Sequence, residues 1–190
     1  MKSIYAITIF FIYWCVNKNP IDNKRIHYFE KQIDSLSRNP ELDSNNYINI
    51  LYIYDSLIKY NKENVMYNYG KAKCYINLEK YETAIAEADK GLKVQDENTS
   101  LLILKSMLLK RIGKYNEFKK CIEKAELILN EKNNSNIRNP NLINDLLFVL
   151  VLQGKKAEAI DISNKINDLN EREFQIDFIN SIDTAELSLP

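Results

Sequence analysis

The sequence predicts an all-α chain, a short α-solenoid of about nine helices arranged in helix-turn-helix pairs. Three observations carry that expectation. A pattern of small and aromatic residues recurs without a gap, Leu78–Ala84 returning as Ile112–Phe118, and apolar side chains recur at helical spacing, as in Phe174, Phe178 and Ile182. Only four Gly and four Pro are available for turns in 190 residues. Together with abundant Asn, Ile, Lys, Leu and Tyr, that scarcity favours long helices over a turn-rich β fold. The length suits one domain or one stack of repeats, and 45% hydrophobic content is enough to bury a core.

The recurrence is read residue by residue. At one constant offset Ala72 maps to Ser106, Tyr81 to Tyr115, Gly91 to Ala125 and Val94 to Ile128. Small residues suit positions where the two helices of a hairpin approach closely, and an aromatic residue at the start of the second helix is expected to close the wedge. The period, about 34 residues, and these residues resemble the tetratricopeptide repeat. That resemblance implies a right-handed superhelix in which the first helix of each pair lines a concave groove for an extended or helical peptide.

A third copy begins near Pro140, with Gly154 answering Gly113 at one period plus seven positions. The extra residues, Asn133 to Asn139, are polar and turn-prone, and Asn139 before Pro140 suits a helix start. This copy departs from the pattern at Lys156, where the others have Tyr, and at Leu147, where they have Ala72 and Ser106. Upstream, Tyr47, Ile50, Tyr54, Leu57 and Ile58 fit the second helix of a degenerate repeat, whose first helix is placed before Pro40.

The expected helices are 23–37, 43–60, 64–78, 81–95, 99–112, 115–130, 140–152, 155–169 and 171–182. The repeats are 23–60, 65–98, 99–132 and 140–173, with 171–182 as an amphipathic cap that buries Phe174, Phe178 and Ile182. No strand is expected.

The first fifteen residues read differently. Lys2 precedes an apolar run from Ile4 that ends at Cys15 and Val16, before Asn17, Lys18 and Asn19 turn polar. The run is shorter than the roughly 20 residues needed to span a bilayer, which favours an export signal at 1–15 over a membrane anchor. Cys15 at its end resembles the lipidation site of bacterial lipoproteins, with Ile12 at the aliphatic position and Trp14 where that motif carries a small residue. The resemblance implies an acylated Cys15, a tether over 16–22, a solenoid domain over 23–182, and a membrane-anchored place in the bacterial cell envelope, facing the periplasm or the cell surface.

Chemistry is sparse. The sole histidine, His27, is expected at the surface. Cys74 and Cys121 have no metal-ligand spacing and read as small buried hydrophobes. Carboxylates such as Glu79, Glu82, Glu87, Asp161 and Asp168 lie beside lysines and read as solvated helix faces. The glycines Gly70, Gly91, Gly113 and Gly154 suit helix packing and helix ends, not a phosphate loop. Charge is balanced, 26 basic against 26 acidic residues, and basic clusters are short. Nucleic acid is therefore not an expected partner. No enzyme activity, metal, cofactor or small-molecule substrate is expected.

The resemblance implies instead a groove lined by Tyr69, Lys73 and Ile76 from the first clear repeat. Ile103, Met107 and Lys110 would come from the second, and Asn144, Phe148 and Val151 from the third, each trio on one helix face. The expected function is a protein-interaction adaptor that holds a protein or peptide. The alternative is an immunity-type lipoprotein that neutralises a toxin.

Overall fold

The computed structural model describes residues 20–38, 43–135 and 140–182. Among them are nine helices and no strand: α1 (Pro20–Ser37), α2 (Ser44–Tyr60), α3 (Met66–Asn77), α4 (Tyr81–Val94), α5 (Thr99–Arg111), α6 (Tyr115–Ser135), α7 (Pro140–Leu152), α8 (Lys156–Ser163) and α9 (Leu169–Ser181). Consecutive helices pack on one another along the whole series, and α3 also touches α5 while α7 touches α9. That order is a solenoid of helix pairs. Trp14, Cys15, Pro40 and Asn136 to Asn139, on which expectations about export, linkers and a helix cap fall, lie outside the described residues.

Local chemistry explains most boundaries. Asp43, Asn98 and Asp168 each sit before a helix and accept a hydrogen bond from a backbone N–H three residues on, at 2.8, 3.1 and 2.9 Å. Such caps satisfy donors that the helix itself leaves unpaired. The cap at Asp168 also accounts for one correction. The helix expected over 155–169 stops at Ser163, and a new helix starts at Leu169. Two other expectations shift as well. Helix α6 runs through the asparagines to Ser135 instead of ending at 130, since no Pro or Gly interrupts it. Pro20 opens α1, so residues 20–22 of the expected tether are helical.

Inside each pair the turn is the same device three times. Glu79, Gly113 and Gly154 have φ of 57°, 75° and 80°. The following residue donates back across the turn: Lys80 N–H to the Tyr75 carbonyl, Lys114 to Leu109 and Lys155 to Leu150, at 2.8, 2.9 and 2.8 Å. This is the Schellman closure of a helix end, which needs a left-handed residue. Two copies use Gly; Glu79 bears the strain of a Cβ in that region.

Small residues let the helices close up. Ala72, Ala84, Ala88, Ser106, Ala125 and Ala159 are all 0% exposed. Between pairs, bulk is exchanged across equivalent positions. Tyr54 on α2 faces Gly70 on α3, where an added Cβ would run into the tyrosine ring. In the next copy, one period on, the two positions hold Ala88 and Leu104, so a large residue has moved from the second helix to the first. Such volume-conserving exchanges preserve packing density. The largest cluster gathers Leu102, Leu109, Ile122, Leu129, Leu150 and Ile179 from the C-terminal half. Leu147, in place of the small residue of the other copies, is itself fully buried there. Tyr81 carries the Arg111 guanidinium over its ring at 4.5 Å. Tyr115, its counterpart, is 65% exposed and does not close the wedge expected of it.

Charges repeat too. Lys71 on α3 pairs with Asp55 on α2 at 2.7 Å, and Lys105 on α5 pairs with Asp89 on α4 at 2.6 Å, the same pair displaced by one period of the repeat. In the first copy Glu87 joins, at 3.3 Å from Lys71 and 2.8 Å from Lys90. Glu87 is only 4% exposed, which corrects the expectation of a solvated carboxylate. Burial alone would lower the Lys71 ammonium, but the hydrogen bond to Asp55 and the charge of Glu87 outweigh it and raise its pKa. The next pairing changes partners: Glu126 on α6 accepts from Lys155 at 2.7 Å and from Gln153 at 2.8 Å. Burial would raise the Glu126 carboxyl, yet these donors hold it below its ordinary value.

Two outcomes are expected in urea unfolding. Replacing Glu79 by Gly relieves the left-handed strain and stabilises the fold by about 0.5–1 kcal/mol, while Gly113→Ala introduces it and costs about 1–2 kcal/mol. Lys71→Met leaves Glu87 with only its exposed Lys90 partner and costs about 3 kcal/mol, most of which returns in the double variant Lys71→Met, Glu87→Leu. A double variant as unstable as the single one would contradict the assignment of that cost to an unpaired buried charge.

Candidate functional site: the face of the first helices

Helices α3, α5 and α7 are the first helices of successive pairs; α3 touches α5, and Lys110 of α5 reaches the end of α7. The nine groove positions divide by burial. Tyr69, Met107, Lys110, Asn144 and Phe148 are partly buried and Lys73 is exposed. These are the side chains with surface to offer. Ile76 and Ile103 are buried, at 7% and 8% exposure, in the clusters beneath. Val151 is fully buried at 0% and contributes to the core, not to a surface. It lies in the C-terminal half of α7, where Leu146, Leu147, Val149, Leu150 and Leu152 are buried with it in the large cluster.

Several of these side chains are engaged. Lys110 Nζ donates to the Leu152 carbonyl at 3.3 Å and sits 5.6 Å from the Phe118 ring. Asn144 Oδ1 accepts from Gln175 Nε2 of α9. Met107 and Phe148 pack against the large cluster and keep part of their surface. Tyr69 bridges two smaller clusters, one around Ala72 and Leu104 and one around Val65, Ala88 and Leu101.

One residue of this face was absent from the expected set. Asp145 on α7 is partly buried, and burial raises its carboxyl above the ordinary value. Tyr69 on α3 is raised too, first by burial and then by the charge of Asp145. The sequence does carry a signal for Asp145: it is the one charged residue between Pro140 and Leu152.

Helix α9 packs on α8 and α7, in the manner of the first helix of a further pair. Its inward residues are Gln175 and Ile179, at 3% and 0% exposure, whereas Phe174 and Phe178 are 67% and 37% exposed. The expected buried face was thus one residue out of register, about 100° around the helix, and only Ile182 of that set packs on the core. Ile179 fills the space against α7 and α8, and the hydrogen bond from Gln175 to Asn144 locks that rotation.

Cys74 and Cys121 are buried free thiols in separate clusters. Burial pushes the Cys74 thiol up to about 11 and raises Cys121 as well. His27 is exposed. Among the described residues no group of three or more His, Cys, Asp or Glu could hold a metal ion, and no helix is long and apolar enough to cross a membrane.

No protein-family profile matches the chain, and no curated protein matches it. Among solved structures it is similar to YrrB, described as a TPR protein with an unusual peptide-binding site, at 18% identity over 85% of this chain and 87% of that one, with a TM-score of 0.39.

The register of α9 is open to a direct check by thermal or urea unfolding. Phe174→Ser should change stability by no more than about 0.5 kcal/mol, as for a surface position, while Ile179→Ala should cost about 2–5 kcal/mol. The reverse order would return Phe174 to the core.

Proposed function

We propose that the chain is a non-enzymatic interaction module that holds a segment of another protein along its concave face. What supports this reading is that Tyr69, Met107 and Phe148, on the first helices of three successive pairs, each keep part of their surface while packing on the core. Rigid helices supporting a mixed apolar and polar concavity suit helix-in-groove or extended-peptide recognition. Met107 adds adaptable packing at its centre. Export and acylation at Cys15 complete the proposal, placing the module on a membrane of the bacterial cell envelope. Acyl chains contribute about 0.8 kcal/mol per buried methylene, so several of them hold a domain at a bilayer without a spanning helix.

Fractionation with acyl labelling, followed by cross-linking and recovery of partners, tests both parts. The wild type should take up label and sediment with membranes, and Cys15→Ala should lose both. Met107→Glu should keep label and location while losing the partner. Recovery of the same partner by Met107→Glu would remove the groove from the account, and an unlabelled wild type would remove the anchor.

A further inference from the structure

Helix α1 packs on α2 and ends the stack among the described residues. Glu30 marks its side towards the stack, accepting from the Tyr67 hydroxyl of α3 at 3.0 Å. Tyr28 and Gln32 stand two residues to either side of Glu30 and so lie on the opposite side of the helix, where Gln32 Nε2 donates to the Tyr28 hydroxyl at 2.9 Å. A shallow groove opens there between the two helices, lined by Gln32, Ser35 and Leu36 of α1 and by Asn49 and Ile53 of α2. Two exposed tyrosines flank it: Tyr28, 60% exposed, and Tyr52, 68% exposed and one helical turn on from Asn49.

Charge on this end is one-sided. From residue 24 onward the carboxylates of α1 and α2 are Glu30, Asp34 and Asp55. Glu30 is held by Tyr67, Asp34 pairs with Arg38 at 2.7 Å and Asp55 with Lys71 at 2.7 Å. Lys24, Lys31 and Lys59 are exposed and have no ion pair among the described residues. Lys24 and Lys31 lie one turn before and one turn after Tyr28 on the same face of α1, and Lys59 lies two turns after Tyr52 on α2. Pro20 opens α1, so only residues 16–19 separate that helix from Cys15. Five residue steps span at most about 18 Å, and an acyl group on Cys15 therefore keeps this end of the stack at the bilayer surface.

We propose that the free end formed by α1 and α2 rests on an anionic lipid surface, with Lys24, Lys31 and Lys59 against lipid phosphates and Tyr28 and Tyr52 at headgroup level. The inference rests on the anchoring at Cys15 proposed above and adds which face of the domain meets the membrane. Tyrosine suits that depth because its ring is apolar and its hydroxyl polar. Each Lys held near an anionic surface gains about 1 kcal/mol, about a fivefold factor in the ratio of docked to undocked protein.

The test uses the full acylated chain reconstituted in vesicles of phosphatidylcholine alone, or of phosphatidylcholine and phosphatidylglycerol in equal parts. Exposed amines are labelled with a membrane-impermeant reagent and read residue by residue by mass spectrometry. Lys24, Lys31 and Lys59 should be labelled about fivefold more slowly on the anionic vesicles than on the neutral ones, and high salt should abolish the difference. Lys119 and Lys165, exposed in the C-terminal half, should be labelled equally on both. In the double variant Lys24→Glu, Lys31→Glu the protein should stay on the vesicles by its anchor while Lys59 loses its protection. Equal labelling of the three lysines on both vesicles, with the protein still bound, would overturn the docking face and leave the anchor standing. Protection that rises with protein concentration and ignores phosphatidylglycerol would assign the face to a second copy and overturn it too. A wild type that binds neither vesicle would overturn the anchor and the docking face together.

Discussion

Close approach of paired helices at alanine-sized residues is the constraint on which the rest of the molecule depends. Ala72 and Ala84 are fully buried in one cluster with Leu108, and small facing side chains of this kind are what let two helices come close. A packed interior behaves like a close-packed solid, so this local requirement fixes the spacing of the pair and the direction from which the next pair docks. Left-handed turns at Glu79, Gly113 and Gly154, closed by the same hydrogen bond, then turn the chain back within each pair. Repetition of a single short-range solution generates the solenoid, and each unit needs only its neighbours.

Such a scaffold separates two duties that a globular enzyme core has to combine. Stability comes from contacts between successive helices, including the displaced pairs Asp55–Lys71 and Asp89–Lys105, which bridge one pair to the next. Residues of the first helices then keep part of their surface while packing on that core, as Tyr69, Met107 and Phe148 do. The buried charge at Glu87 is compensated by Lys71 and Lys90 on two helices.

Much of this was legible in the sequence because the repeat is written in residue size. The equivalence of Ala72 with Ser106 and of Gly91 with Ala125 locates the helix pairs. What escaped was written in other terms. Charge was read as surface, and so Glu87 was missed. Comparing charges at the same repeat offset exposes the Asp–Lys pair. The rotation of α9 was not legible, since Phe174 and Phe178 form as good an apolar stripe as Gln175 and Ile179, and only the shape of the surface left by α7 and α8 chooses between them. Depth was also hidden: a stripe of Asn144, Phe148 and Val151 is one face in projection, but the end of α7 sinks into the core and takes Val151 with it. The end of α8 depended on competition between continued helix and the Asp168 cap, a balance of about 1 kcal/mol that periodicity does not report.

The central claim is that this chain meets its partner through the concave first-helix face and not elsewhere. A photo-crosslinking residue placed at Met107, compared with one placed at the exposed Leu127 on the second-helix side, measures that most directly in the full chain at its natural location. The account predicts a discrete partner adduct from position 107 and none from 127. An adduct from 127 alone, or equal adducts from both, would contradict it.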